Sequence, residues 1–280
     1  MADFPRTKIE DVPVSRLIMG TNWWLGHSHT SKAKDDHIKA TMGRREIADI
    51  MEVFLNAGVD TAVGIRPDEM LADAMKDAED RTGRKILRIT TPHLDISNTP
   101  DALSNTERIL DDAKTTGAFA CWPHQQTTDA LLDRTTRTIR GMDKYCAMIR
   151  DRGMLPGLST HMPEGIRYAD SSGLDVTSYI QLYNAIGFLM QLEVDWVHKI
   201  IWEAKKPVLA IKPLAAGRLS PLPGLAFAWS TIRECDMVAV GTSNPDEARE
   251  VIEISLAILE RRRPNFDLQK TRSKASVEDQ

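Results

Sequence analysis

Three histidines follow three short apolar runs in nearly the same register: Thr-Thr-Pro-His93, Cys-Trp-Pro-His124 and Leu-Ser-Thr-His161. Neutral imidazoles arriving together from neighbouring segments are what a divalent metal such as zinc takes as ligands, with a carboxylate and an open water position completing the sphere. Without a metal, the same side chains titrate near neutral pH, so two of them can pass a proton in both directions. The plainer alternative is that each ring hydrogen-bonds a neighbouring loop. Lys212, in Ala-Ile-Lys-Pro, is a further candidate. Its amine can hold an anion or a carbonyl or, if stripped of water, form a Schiff base. Gln181 and Asn184, in Tyr-Ile-Gln-Leu-Tyr-Asn, offer hydrogen bonds to a nicotinamide amide or a sugar hydroxyl, or they close a turn.

These residues act together only if the chain brings them to one end of a fold. Short apolar runs recur at 16–20, 59–63, 86–91, 118–122, 155–159, 179–182, 208–211 and 237–240. Amphipathic stretches separate them. In 44–57, for example, Ile47, Ile50, Met51, Phe54 and Leu55 form one stripe that Gly58 ends. Eight strands alternating with helices predict an α/β chain folded as a (β/α)8 TIM barrel, with parallel pairing and right-handed crossovers. In that fold the site lies at the C-terminal ends of the strands, which is where His93, His124, His161 and Lys212 fall. The segment 22–43 reads as a long mouth loop, a candidate lid. In it Trp23 and Trp24 could stack on a ring or a sugar face, or pack beneath the loop. Ser28, His29, Thr30, Ser31 and Lys32 of the same segment supply donors for an oxyanion or phosphate.

Composition narrows the classes. The 280 residues are 42% hydrophobic and 27% charged, a globular balance that one barrel domain accommodates. No apolar run approaches the roughly 20 residues of a membrane span. A net charge of -4 with well-mixed signs leaves no large basic surface for nucleic acid. The expected partner is a small-molecule substrate. Residues 1–16 hold no apolar signal core, and Cys121, Cys146 and Cys235 are widely spaced, which fits a reducing cytoplasm better than a disulfide framework. The charged stretch 262–280 is expected to fray.

The stretch from Val208 to Glu250, VLAIKPLAAGRLSPLPGLAFAWSTIRECDMVAVGTSNPDEARE, resembles the last two strand–helix units of an aldo-keto reductase. VSRLIMG at 14–20, AGVDTA at 57–62 and YIQLYN at 179–184 are similar to the first, second and sixth strands of that family. The resemblance implies an Asp, Tyr, Lys and His tetrad around NADPH. It puts Asp60 at the aspartate and His124 at the histidine. Ile65 stands where the tyrosine belongs, and Thr91 or Pro92 where the lysine belongs. It also implies that Gly241, Thr242, Ser243 and Asn244, followed by Arg249, hold the adenosine phosphate of NADP at a helix start, although the same loop could simply cap that helix. Without the phenol, hydride delivery lacks its usual general acid. The expected function is therefore histidine-centred, metal-assisted or metal-free hydrolase, lyase or epimerase chemistry on a small polar, carbohydrate-like molecule, with Asp60 as ligand or orienting carboxylate. A divergent NADP(H)-dependent reductase and a non-catalytic binding barrel are the rival readings.

Overall fold

The computed structural model describes residues 3–266 and residue 274. Eight parallel positions form the barrel: β1 Leu17–Gly20, β2 Thr61–Ile65, β3 Leu87–Thr90, β4 Ala120–Cys121, β5 in two pieces, β6 Tyr179–Leu182, β7 Val208–Ile211 and β8 Met237–Val240. The pairing runs β6–β7–β8–β1–β2–β3–β4, with the pieces of β5 on the two outer edges. Leu155–Pro156 pairs with β4 and Leu158–Thr160 pairs with β6, so the chain itself closes the ring at Gly157. A side chain at Gly157 would place Cβ 2.4 Å from Cδ1 of the Trp122 indole and 2.8 Å from the carbonyl oxygen of Ser178. Glycine is required there by close approach.

Side chains alternate along these strands as a two-residue period dictates. Ile18, Val63, Ile89, Ala120, Trp122, Ile180, Leu209, Met237 and Ala239 share one inner cluster. Leu17, Met19, Ala62, Tyr179, Val208 and Val238 instead pack outward with the helix layer. Ile9 and Val14 join the inner cluster, each fully buried. They come from an antiparallel hairpin, Arg6–Ile9 with Val12–Ser15, that plugs the N-terminal end of the barrel and was not expected from the sequence.

The second strand begins two residues later than its apolar run suggests. Asp60 precedes it: its carbonyl oxygen accepts the Leu87 N–H at 2.7 Å and its carboxylate takes the Arg6 guanidinium at 2.8 Å. The segment 22–43 is not all loop. A helix, Lys32–Thr41, starts where Ser31 Oγ accepts the Lys34 N–H. Trp24 packs beneath this segment, fully buried, and donates its indole N–H to the carbonyl oxygen of Thr242 at 2.8 Å.

The last helix is Pro245–Leu259, and Arg262 folds back to pair with Glu253 and Glu260. Of the stretch expected to fray, 262–266 therefore has tertiary contacts, and most of the remainder lies outside the described residues. The cysteines are free, Cys121 and Cys146 buried and Cys235 exposed. Among the described residues no helix is long and apolar enough to cross a membrane.

Candidate active site at the barrel mouth

A cavity of about 780 Å³ opens at the C-terminal end of the strands. Its floor is apolar, from Val63, Ile180, Ile211 and Ala239, and its walls carry Trp23, His29, His124, His161 and Lys212. Glu247 and Glu250, on the last helix, are the carboxylates among its lining residues.

Lys212 reaches this cavity through its backbone. Ile211 points inward, so regular alternation would send the next side chain out toward the helices. Lys212 instead has φ +59°, in the left-handed region, and its side chain lines the cavity. Ala215 at +49° and Ala216 at +55° continue the irregular turn. Each such non-glycine residue costs about 1–2 kcal/mol. Among the described residues the amine has neither a hydrogen bond nor an ion pair, and burial pulls its pKa down to about 8.

His161 follows β5 and is fixed from behind. Its backbone N–H donates to the Asp129 carboxylate at 3.1 Å, and the Thr160 hydroxyl donates to the same group. Burial, then the Lys212 charge, then His124 and His29, depress the His161 pKa to about 4, so the ring is neutral in ordinary buffer. His124 caps the helix Gln125–Leu131, its Nδ1 accepting the Gln126 N–H at 3.4 Å, which assigns the ring proton to Nε2. Burial first, then His93 and Lys212, lower its pKa. His29 is lowered as well, by burial first and Lys212 second.

Several expected members are elsewhere. Asp60 is at the opposite end of the barrel, held by Arg6, because the second strand starts after it and not before it. His93 is exposed and does not line the cavity; its ring lies 6.4 Å, centroid to centroid, from that of His124. The chain leaves β3 as irregular backbone, and the side chain following Pro92 turns away. Among the described residues no group of three or more His, Cys, Asp or Glu side chains is placed to hold a metal ion. His93, His124 and His161 are not such a group. Gln181 is buried on the outward face of β6, alongside Tyr179, with its Nε2 on the Leu182 carbonyl. Asn184 closes the turn, bonding Phe188 through both amide atoms.

The loop after β8 uses part of its hydrogen-bonding capacity internally. Gly241 and Thr242 line the cavity, but Ser243 donates both its N–H and its hydroxyl to the Glu247 carboxylate, at 2.7 and 2.8 Å. Asn244 accepts the Glu247 N–H and caps the helix, and Arg249 is paired with Asp246. The Ser243 donors are thus turned inward and carboxylates stand in the first turn, while the Thr242 hydroxyl is buried without a hydrogen-bond partner among the described residues. A second, larger hollow, about 1310 Å³, lies between helices Arg44–Asn56 and Pro245–Leu259 on the outside of the barrel, and acidic residues such as Asp49, Glu52 and Glu253 line it. Asp129 is the site residue that sequence reasoning missed. Its partner is 32 positions away, and nothing local marks it.

No protein-family model matches the chain, and no curated protein matches it. Solved structures do. A candidate aldo-keto reductase from Pseudomonas aeruginosa shares 15% identity over 91% of this chain and 94% of its own, with a TM-score of 0.63. An aldose reductase from Giardia lamblia shares 10% over 99% and 92%, at 0.54. A truncated 3-deoxy-D-arabino-heptulosonate 7-phosphate synthase from Thermotoga maritima shares 11% over 92% and 93%, at 0.53. At such identity these likenesses show the TIM-barrel fold, which aldo-keto reductases and other barrel enzymes share, and not a reaction.

Proposed function

We propose that the chain is an enzyme whose active site is the C-terminal barrel mouth. It moves protons on a small polar carbonyl compound, as lyases and epimerases do, with His124 and His161 as the proton carriers and Lys212 holding the carbonyl oxygen or an anionic group. The observation that carries this reading is that Lys212 and His161 line one cavity, and the charge of the amine is felt by the ring. The neutral His161 ring is free to accept a proton, as a weaker base than free imidazole because of the neighbouring cation, and the amine stabilises the negative charge left on the substrate. The apolar floor keeps that charge in a low-dielectric setting, where the attraction is stronger than in water. Half-buried Trp23 gives the wall a ring face suited to a hydroxylated carbon chain. The reductase reading has less support, because two of the five residues expected to hold the phosphate, Ser243 and Arg249, are engaged by Glu247 and Asp246.

The test is proton exchange. Purified protein incubated in D2O with short hydroxyaldehydes and hydroxyketones should wash deuterium into the carbon beside the carbonyl, followed by proton NMR. His161→Asn and His124→Asn should each slow the exchange by roughly 10²-fold or more, the range of general acid–base catalysis. An absence of exchange with every compound of this class, or exchange indifferent to both substitutions, defeats the reading.

A further inference from the structure

Among the described residues Lys212 has no carboxylate partner. A lysine that only holds an anion is served by full protonation, and lysines kept protonated inside proteins usually sit beside a carboxylate. Here the side chains whose charges couple to it are imidazoles: His29, His124 and His161. The two lining carboxylates do not meet it, and the one nearer the loop, Glu247, is bonded to Ser243. The backbone adopts a left-handed conformation at Lys212, where an L-residue is disfavoured, and the result is an amine aimed into the cavity. A desolvated, unpaired, inward-pointing amine that shares a cavity with neutral bases can act as a nucleophile as well as a charge holder.

We infer that the Lys212 amine bonds covalently to the carbonyl carbon of the substrate as a Schiff base, so that the site takes a small aldehyde or ketone; the inference rests on the mouth being the active site. The atoms balance without a co-reactant. The neutral amine adds to the carbonyl carbon, forming a C–N bond and an alkoxide, while the nitrogen gives one proton to an imidazole and the alkoxide takes one. The carbinolamine oxygen then accepts a second proton and leaves as water as the nitrogen lone pair forms the C=N bond. The protonated imine withdraws electrons from the neighbouring carbon, whose proton His161 or His124 removes. Water readdition reverses the sequence and frees the amine. Depression of the Lys212 pKa to about 8 leaves a useful share of it unprotonated in mildly alkaline buffer, in line with this role.

Reductive trapping tests it. The full chain is treated at pH 8 with dihydroxyacetone or pyruvate and sodium cyanoborohydride, and the modified lysines are mapped by peptide mass spectrometry. The expected result is near-stoichiometric secondary amine at Lys212, formed at least 10-fold faster than at exposed Lys76 and Lys199. Lys212→Met should abolish this adduct. Lys212→Arg, which keeps a cation but cannot form an imine, should abolish both the adduct and the deuterium exchange, with circular dichroism checking that each variant is folded. Labelling of Lys212 no faster than of the exposed lysines overturns the inference. So does deuterium exchange that survives in Lys212→Arg, which would leave the proton-transfer reading intact with the amine as a charge holder. Loss of exchange in His161→Asn with trapping retained supports the inference and separates the two roles.

Discussion

At the scale of single residues, Lys212 stands out because its position opposes the stability of the protein. Its folded-state pKa, about 8, is below the ordinary 10.5, so the unfolded chain binds the proton more readily. The sign follows: the associated stability is complete above pH 10.5 and is lost as pH falls through 8, so the penalty is fully in force at pH 7. A shift of that size corresponds to at most ~3 kcal/mol, and partial solvent access reduces it to about 1–2 kcal/mol. Lys212→Met, similar in length and without charge, should therefore raise the melting temperature at pH 7. The gain should shrink as the buffer approaches pH 10.5. Thermal melts of the two proteins across that range read the difference directly, and a variant less stable at pH 7 would show that the amine is not desolvated. Stability surrendered at one residue is a common mark of a functional position.

At the scale of elements, Gly157 carries the closure of the barrel. It separates the two pieces of β5 and lets the Trp122 indole lie against the backbone. Gly157→Ala would drive a methyl group into that ring and into the Ser178 carbonyl, and repacking a fully buried tryptophan is expected to cost about 3 kcal/mol. A lower urea midpoint with an unchanged slope is the expected result. The strands from β6 onward were legible to the residue, because Tyr179–Leu182, Val208–Ile211 and Met237–Val240 are compact apolar runs with clear ends. The second strand was not. A two-residue period identifies the faces of a strand and says little about its ends, and Gly64 disguised the continuation to Ile65. That slip moved Asp60 from one end of the barrel to the other. His124 and His161 could be read as mouth residues because each follows an inward residue by two, Trp122 and Ser159. His93 could not be told apart from them, since the irregular backbone after Thr90 breaks the alternation without a signal in the sequence. The inward aim of Lys212 is equally silent there: its left-handed φ belongs to a turn built from Pro213, Leu214 and two alanines.

At the scale of the whole molecule, the N-terminal hairpin gives the barrel a closed floor. Ile9 and Val14 fill the lower opening, and Arg6 ties the hairpin to Asp60 below the second strand. The interior above is occupied by Trp122 and its neighbours. Among the described residues the lower end is filled by packed side chains, so traffic at the mouth is sequential: whatever is made there has to depart before another molecule can arrive. If the reaction run there gives a single product, as an epimerisation does, product inhibition should be purely competitive, raising the apparent KM and leaving kcat untouched. Initial-rate measurements at fixed product concentrations distinguish this from a mixed pattern, the signature of ordered release of two products, as a lyase gives.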